Sequence, residues 1–169
     1  FKNTTLTTSS KDVANHLSQS DWCTLMAASL GLEVDKKISY YTKFNMTKSL
    51  ILDACASTAI ESLCDEVEEK IRQEAYGQGY HITSRFSPGY GDFPITLQKD
   101  FVTILKAYPK IGLTVNESSI MLPRKSVTAL IGWQKEKCTS ILNNCNQCLK
   151  KDCLYRKDKD YHEHPIKLK

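Results

Sequence analysis

The sequence predicts an α+β fold, in which an antiparallel twisted β-sheet packs with helices, one of them long and central. Three observations lead there. A stretch from about Asn45 or Thr47 to Tyr76 contains neither glycine nor proline and repeats apolar residues at helical spacing. Residues 111–133 alternate apolar and polar positions as strands do. The elements also lack the regular βαβ alternation that a parallel sheet requires.

Taken in order, Ser9 or Ser10 caps a short helix over 11–19. The run Trp22-Cys23-Thr24-Leu25-Met26-Ala27-Ala28, closed by Leu30-Gly31, reads as a buried strand, with a helix as the alternative for so short a run. Residues 33–43 read as helix. In the long helix, Leu50, Ile51, Ala54, Ile60, Leu63, Cys64, Val67 and Ile71 recur on one side. Its N-terminal half is nearly uncharged and is expected to be buried on several sides. The segment Asp65-Glu66-Val67-Glu68-Glu69-Lys70 gives the second half a solvated face, and Gly77 and Gly79 end the helix. A short strand is expected over 80–85, then a loop, then a helix over 95–107. Asp92 is the expected N-cap of that helix, Pro94 lies in its first turn, and Leu97, Phe101, Ile104 and Leu105 form its buried stripe. Strands over 111–115, 119–122 and 126–133 follow, the last two joined by Pro123-Arg124-Lys125.

Composition narrows the function class. The chain has 169 residues, 41% hydrophobic and 25% charged, enough for one core and too apolar for disorder. The net charge of +4 is mild, and no basic stripe interleaved with aromatics points to nucleic acid. No apolar run reaches the roughly eighteen residues of a membrane span. From Gln134 onward apolar residues thin out and Cys, Lys and Asn dominate. The expected organisation is therefore a domain over 1–133 and a Cys-rich appendage over 134–169.

Seven cysteines are the compositional anomaly. Cys23, Cys55 and Cys64 lie in apolar or helical segments and read as buried free thiols. Cys138, Cys145, Cys148 and Cys153 crowd together, two of them separated by two residues, in a lysine-rich stretch. Four thiolates so spaced suit a tetrahedral metal, either zinc or an iron–sulfur cluster, with reduced thiols or disulfides as the third reading. An odd cysteine count and a cytosolic metal pattern, with no signal-peptide pattern over 1–5, lead us to expect a cytoplasmic protein.

The loop Arg85-Phe86-Ser87-Pro88-Gly89-Tyr90 has the chemistry of a ligand site. Gly89 and Gly91 permit close backbone approach, and Arg85 offers a planar fork for a carboxylate. Tyr90, between two glycines, can present its ring to a cation or a flat cofactor. On the long helix, Ala54, Ser57, Thr58 and Glu61 share one narrow face of small residues with Glu61 at its end. Something could approach that face closely, and helix packing with Glu61 at its rim is the alternative reading.

The string Arg-x-x-Pro-Gly-Tyr resembles the signature of the activation domain of cobalamin-dependent methionine synthase. The resemblance continues in order through Ala27-Ala28-Ser29-Leu30-Gly31 with Asp35, Ala59-Ile60-Glu61-Ser62-Leu63, Gln98, Ile111-Gly112-Leu113-Thr114, Glu117-Ser118, Met121-Leu122-Pro123 and Lys125-Ser126-Val127-Thr128. It covers roughly residues 10–133. It implies that S-adenosylmethionine lies in a shallow groove, with Arg85 on its carboxylate, Ser87 and Gly89 meeting it through backbone, and Glu61 accepting a hydrogen bond. Tyr90 is implied to stand beside the methyl-transfer site, the catalytic position. It further implies that cobalamin sits on a partner, the cobalamin-binding module of methionine synthase or a related corrinoid protein. A flavoprotein electron donor is implied with it. An early aspartate and a late tyrosine of the family pocket have no match here, with Asp21 and Asp35 the nearest acidic candidates for the first. The function implied is S-adenosylmethionine-binding reactivation of the synthase by reductive remethylation of cob(II)alamin. The alternative is a metal or iron–sulfur redox accessory protein for another corrinoid methyltransferase.

Overall fold

The computed structural model describes residue 4 and residues 6–136. Helix α1 (Lys11–His16) leads into strand β1 (Ser20–Ser29), and a helical hairpin follows, α2 (Leu32–Phe44) and α3 (Met46–Gly77). After β2 (His81–Ile82) the chain passes through a 3-10 turn over Ile95–Leu97 to α4 (Gln98–Ile104) and α5 (Ala107–Ile111). Strands β3 (Thr114–Val115), β4 (Met121–Leu122) and β5 (Ser126–Gln134) complete it. The fold is α+β, as the patterns predict.

The sheet is antiparallel in the order β1-β5-β2, with β5 in the centre. The central place of β5 corrects the alternation expected over 126–133. Strand β5 carries a layer on each face, so alternation gives way to burial on both sides. On one face Ala129, Ile131 and Trp133, with Met26 and Ala28 of β1, meet Ile60, Cys64 and Ala75 of α3. Leu63, Val67 and Ile71 extend that contact along the helix. On the other face Leu130 packs with Val13, Phe93 and Phe101, and Leu25 and Phe86 close the cluster. The described residues are thus layered: long helix, sheet, then α1 with the 86–104 segment.

Gly132 is fixed by this layering. A Cβ there would overlap Ser20 and come within 2.7 Å of Leu17 Cδ2, so only glycine lets the α1–β1 connection lie against β5.

Several expectations are corrected. The N-terminal half of α3 is not buried on several sides. Only Ser49, Ala56 and Ile60 are buried between Met46 and Ile60, while Leu50 and Ile51 are exposed. This half packs chiefly on α2, a helix with no buried residue of its own. Ser49 Oγ donates to the Ile38 carbonyl at 3.1 Å and lies 2.9 Å from Thr42 Oγ1, so polar contacts hold the hairpin. Low charge in a helix does not by itself imply burial. Cys55, expected to be buried, is exposed on the same half, whereas Cys64 is buried and Cys23 half-buried.

The helix expected over 95–107 is broken into the 3-10 turn, α4 and the start of α5. Lys106 adopts a left-handed conformation (φ 51°) between the two helices. Asp92 does not cap α4 but reaches back to α1, as described below. The strand expected over 111–115 is shortened because Ile111 ends α5 and Gly112 turns the chain at φ 67°. Strands β3 and β4 pair with each other rather than joining the main sheet.

Candidate functional site

Phe86 anchors the candidate site. Its backbone N–H donates to the Leu130 carbonyl at 3.0 Å and its carbonyl accepts from Leu130 at 2.9 Å, so it extends the β2 edge of β5. Its ring stacks on Phe93 (5.9 Å, 4°) and on His16 (5.1 Å, 24°), inside the lower core layer. Because neighbouring side chains of extended backbone point to opposite faces, Arg85 and Ser87 are directed away from that layer. For Arg85 this means toward α3.

The guanidinium of Arg85 meets three carboxylates of α3. Nη1 lies 2.8 Å from Asp65 Oδ1, Nη2 3.5 Å from Glu61 Oε2, and Nε 3.5 Å from Glu68 Oε2. Positions 61, 65 and 68 fall on one helical face, which is why a single fork spans all three. The contact to Asp65 is a close ion pair rather than a directed hydrogen bond, since buried Nη1 has no hydrogen-bond partner among the described residues. Burial works against the charge on Arg85, but the carboxylates of Asp65 and Glu68 more than offset it and hold the guanidinium above its ordinary pKa. Glu68 is the most enclosed of the three, 18% exposed, and its other oxygen takes Arg72 Nη2 at 2.8 Å. Glu61 is 65% exposed and has Arg85 as its ion partner. Beneath the cluster, burial pushes the Cys64 thiol up in pKa.

The turn after Arg85 closes on itself. Tyr90 N–H donates to the Ser87 carbonyl at 3.2 Å, Gly89 N–H to the Phe93 carbonyl at 2.8 Å, and Phe93 N–H to the Tyr90 carbonyl at 2.9 Å. Gly89 sits at φ 98°, a conformation that favours glycine, and a Cβ there would press on Ile95 Cδ1 at 3.1 Å. Phe93, not Tyr90, is the core aromatic of this loop. Tyr90 is 68% exposed and free to meet something from outside. Ser87 is half-buried and Pro88 buried.

His16 supports the loop from below. Its Nε2 lies 2.9 Å from the Ser84 carbonyl oxygen and 3.0 Å from Thr83 Oγ1. Burial holds its imidazole below the ordinary pKa, partly opposed by the Ser84 contact. Thr83 Oγ1 in turn accepts the Gly132 N–H at 2.8 Å, tying the segment to β5.

The structure therefore brings Arg85 and Glu61 together, as the sequence suggests, and sets Ser87, Gly89 and Tyr90 in the adjoining turn. It adds Asp65 and Glu68, which sequence reading assigned to a merely solvated face. The signal that could have found them was their helical register with Glu61. Two open depressions, one lined by Gln19, Asp21, Lys135 and Glu136 and the other by 7–9 with Pro94, Thr96 and Leu97, include none of Glu61, Arg85, Ser87, Gly89 and Tyr90. The candidate site is an open face. Of the acidic stand-ins, Asp35 accepts the Arg124 N–H at 2.6 Å, and Asp21 takes the Tyr80 hydroxyl at 3.4 Å. Both have structural partners away from Arg85. On the small-residue face of α3, Lys125 donates to Ser57 Oγ at 2.8 Å and pairs with Asp53 at 2.9 Å, so a lysine covers part of it.

Cys138, Cys145, Cys148 and Cys153 lie outside the described residues. Among the described residues no group of three or more His, Cys, Asp or Glu could hold a metal ion, and no helix is long and apolar enough to cross a membrane.

A family model described as the activation domain of vitamin B12-dependent methionine synthase matches residues 2–157. The match runs past the change of composition at Gln134. No curated protein matches the chain.

Proposed function

Because the chain belongs to the family of the vitamin B12-dependent methionine synthase activation domain, we propose that it binds S-adenosylmethionine on the Arg85 face and presents it to a partner's cobalamin for reductive remethylation. The observation that carries this reading is the pairing of Arg85 with Glu61 beside the Gly89–Tyr90 turn. A positive fork, a carboxylate, a close backbone approach and an outward aromatic are what an amino-acid head group joined to a sulfonium needs.

In this reading cobalamin on the partner module supplies a strongly nucleophilic reduced cobalt, and S-adenosylmethionine supplies the methyl group. The single electron for reducing cob(II)alamin comes from a flavoprotein donor. The chain itself positions. Arg85 takes the ligand carboxylate and Glu61 a ligand hydrogen-bond donor. Ser87 and Gly89 offer backbone contact, and Tyr90 lays an aromatic face against the sulfonium, the catalytic position. Placing the methyl group in line with its acceptor removes much of the entropic barrier, and no acid–base group is required. An open face also suits a ligand that must be reached by a second protein.

The division into an S-adenosylmethionine-binding part over 1–133 and a Cys-rich appendage over 134–169 belongs to this proposal, as does cytoplasmic location. So does a metal at Cys138, Cys145, Cys148 and Cys153, whose spacing favours a second reading: an iron–sulfur or zinc accessory protein for another corrinoid methyltransferase. Calorimetry with S-adenosylmethionine tests the first reading. Binding by the wild-type protein that is lost in Arg85→Ala supports it, and no binding by either overturns it. Iron, sulfide and zinc analysis with EPR of anaerobically purified protein tests the second.

A further inference from the structure

All three nitrogen positions of Arg85 already face carboxylates, so a ligand carboxylate cannot simply add to the fork. It must replace one. Counting Arg85 against Glu61, Asp65 and Glu68, the cluster carries two surplus negative charges, and a carboxylate arriving alone would raise that to three. The three resident carboxylates are not equivalent. Asp65 is in the closest contact at 2.8 Å. Glu68 is enclosed and held from its other oxygen by Arg72, itself pinned to Glu69 at 3.2 Å. Glu61 is at 3.5 Å, mostly in solvent, with one ion partner.

We propose that Glu61 is an exchangeable counter-ion of Arg85, and that Asp65 and Glu68 are positioning residues that hold the fork while the exchange occurs. In the free protein Glu61 occupies the Nη2 corner. On binding, the carboxylate of an α-amino-acid head group takes that corner and the displaced Glu61 turns to the head group's ammonium. One internal ion pair becomes two intermolecular ones, and the head group adds no net charge to the cluster. The face therefore selects a zwitterion. A ligand with a carboxylate but no ammonium leaves Glu61 without a partner beside two other carboxylates, and one with an ammonium but no carboxylate gains nothing from Arg85. This inference rests on the proposed function and specifies how its site discriminates.

The test uses the full chain, with S-adenosylmethionine and its deaminated analogue as probes and Glu61→Gln as the variant. Glu61→Gln should bind S-adenosylmethionine about tenfold or more weakly, because a hydrogen bond to a charged group is lost. The same variant should bind the deaminated analogue about two- to fivefold more tightly than wild type, because the competing surface ion pair is gone. That inversion is the signature. A residue that only supports the fold cannot produce it. Asp65→Asn should weaken both probes, and Asp65→Glu should restore them. Wild-type binding of S-adenosylmethionine without the inversion overturns the exchange and leaves the proposed function standing. No binding of S-adenosylmethionine by the wild-type protein overturns both.

Discussion

Asp12 and Asp92 cap each other. Asp92 N–H donates to Asp12 Oδ2 at 3.0 Å, and Asp12 N–H donates to Asp92 Oδ1 at 3.2 Å. Asp92 Oδ2 also accepts the Lys11 N–H at 2.7 Å, and the Ser10 hydroxyl bonds its other oxygen. The first turn of α1 is thereby satisfied by a residue at the end of the candidate ligand loop.

Replacing Asp92 with Ala should therefore lower the melting temperature and also weaken ligand binding at Arg85–Tyr90, since the loop loses its tie to α1. Thermal melts and calorimetry on one preparation check both effects. Ser10→Ala, which removes the buried hydroxyl that accepts the Val13 N–H at 3.0 Å, should cost about 1 kcal/mol in denaturant unfolding. A change confined to stability in Asp92→Ala would show that the loop keeps its shape unaided.

Stability should fall in acid in two stages. His16 is held below its ordinary pKa of 6.5 in the folded protein, so the unfolded chain takes up the proton first. Its contribution is complete above about pH 6.5 and is lost as pH falls from there through the lower folded value. Asp92, also held below its ordinary value, chiefly by the Ser10 hydroxyl, contributes above the usual carboxylate range and is lost at still lower pH. Urea midpoints between pH 7.5 and 5 should drop in the wild-type protein. In His16→Gln that upper segment should be flatter.

Phe101 is fully buried and meets Phe93 edge-on at 6.1 Å beneath Leu130. Phe101→Ala should cost about 3–5 kcal/mol, the range for deleting a core aromatic. Gly132→Ala should cost about 1–3 kcal/mol by overpacking against Leu17 and Ser20. Equilibrium unfolding measures both, and a neutral Gly132→Ala would mean that the α1–β1 connection yields easily.

Leu50 of α3 is 64% exposed although the pattern marks it as core. Leu50→Lys should therefore change stability by no more than about 0.5 kcal/mol, whereas the same change at Ile60 should unfold the domain. A large loss in Leu50→Lys would place that face in a contact that the isolated chain conceals.

Much of the fold was legible because local signals agreed with the tertiary answer. The α3 register at Ile60, Cys64, Val67 and Ile71 and the Ser10 cap were readable, since each depends on neighbours close in sequence. The Arg85 loop was legible for the same reason, as glycine placement and a fork suited to carboxylates are properties of the residues themselves. The helix break at Lys106 was not, because nothing local marks a left-handed lysine.

The sequence by itself determined the fold class, the long helix and the family, and it singled out the residues proposed to carry the ligand chemistry. The tertiary structure decided which partners those residues keep. It turned Asp92 from a cap for the helix after it into a cap for the helix before the sheet. It left much of the uncharged half of α3 exposed, because that half packs chiefly on α2 and meets the sheet cluster only at Ile60. It also set Asp65 and Glu68 with Glu61 around Arg85, so the candidate carboxylate receptor is already occupied by carboxylates. Composition and spacing record what a residue can bind. Which of those bonds is made depends on groups brought close from distant parts of the chain, and that distance is fixed only when the layers pack.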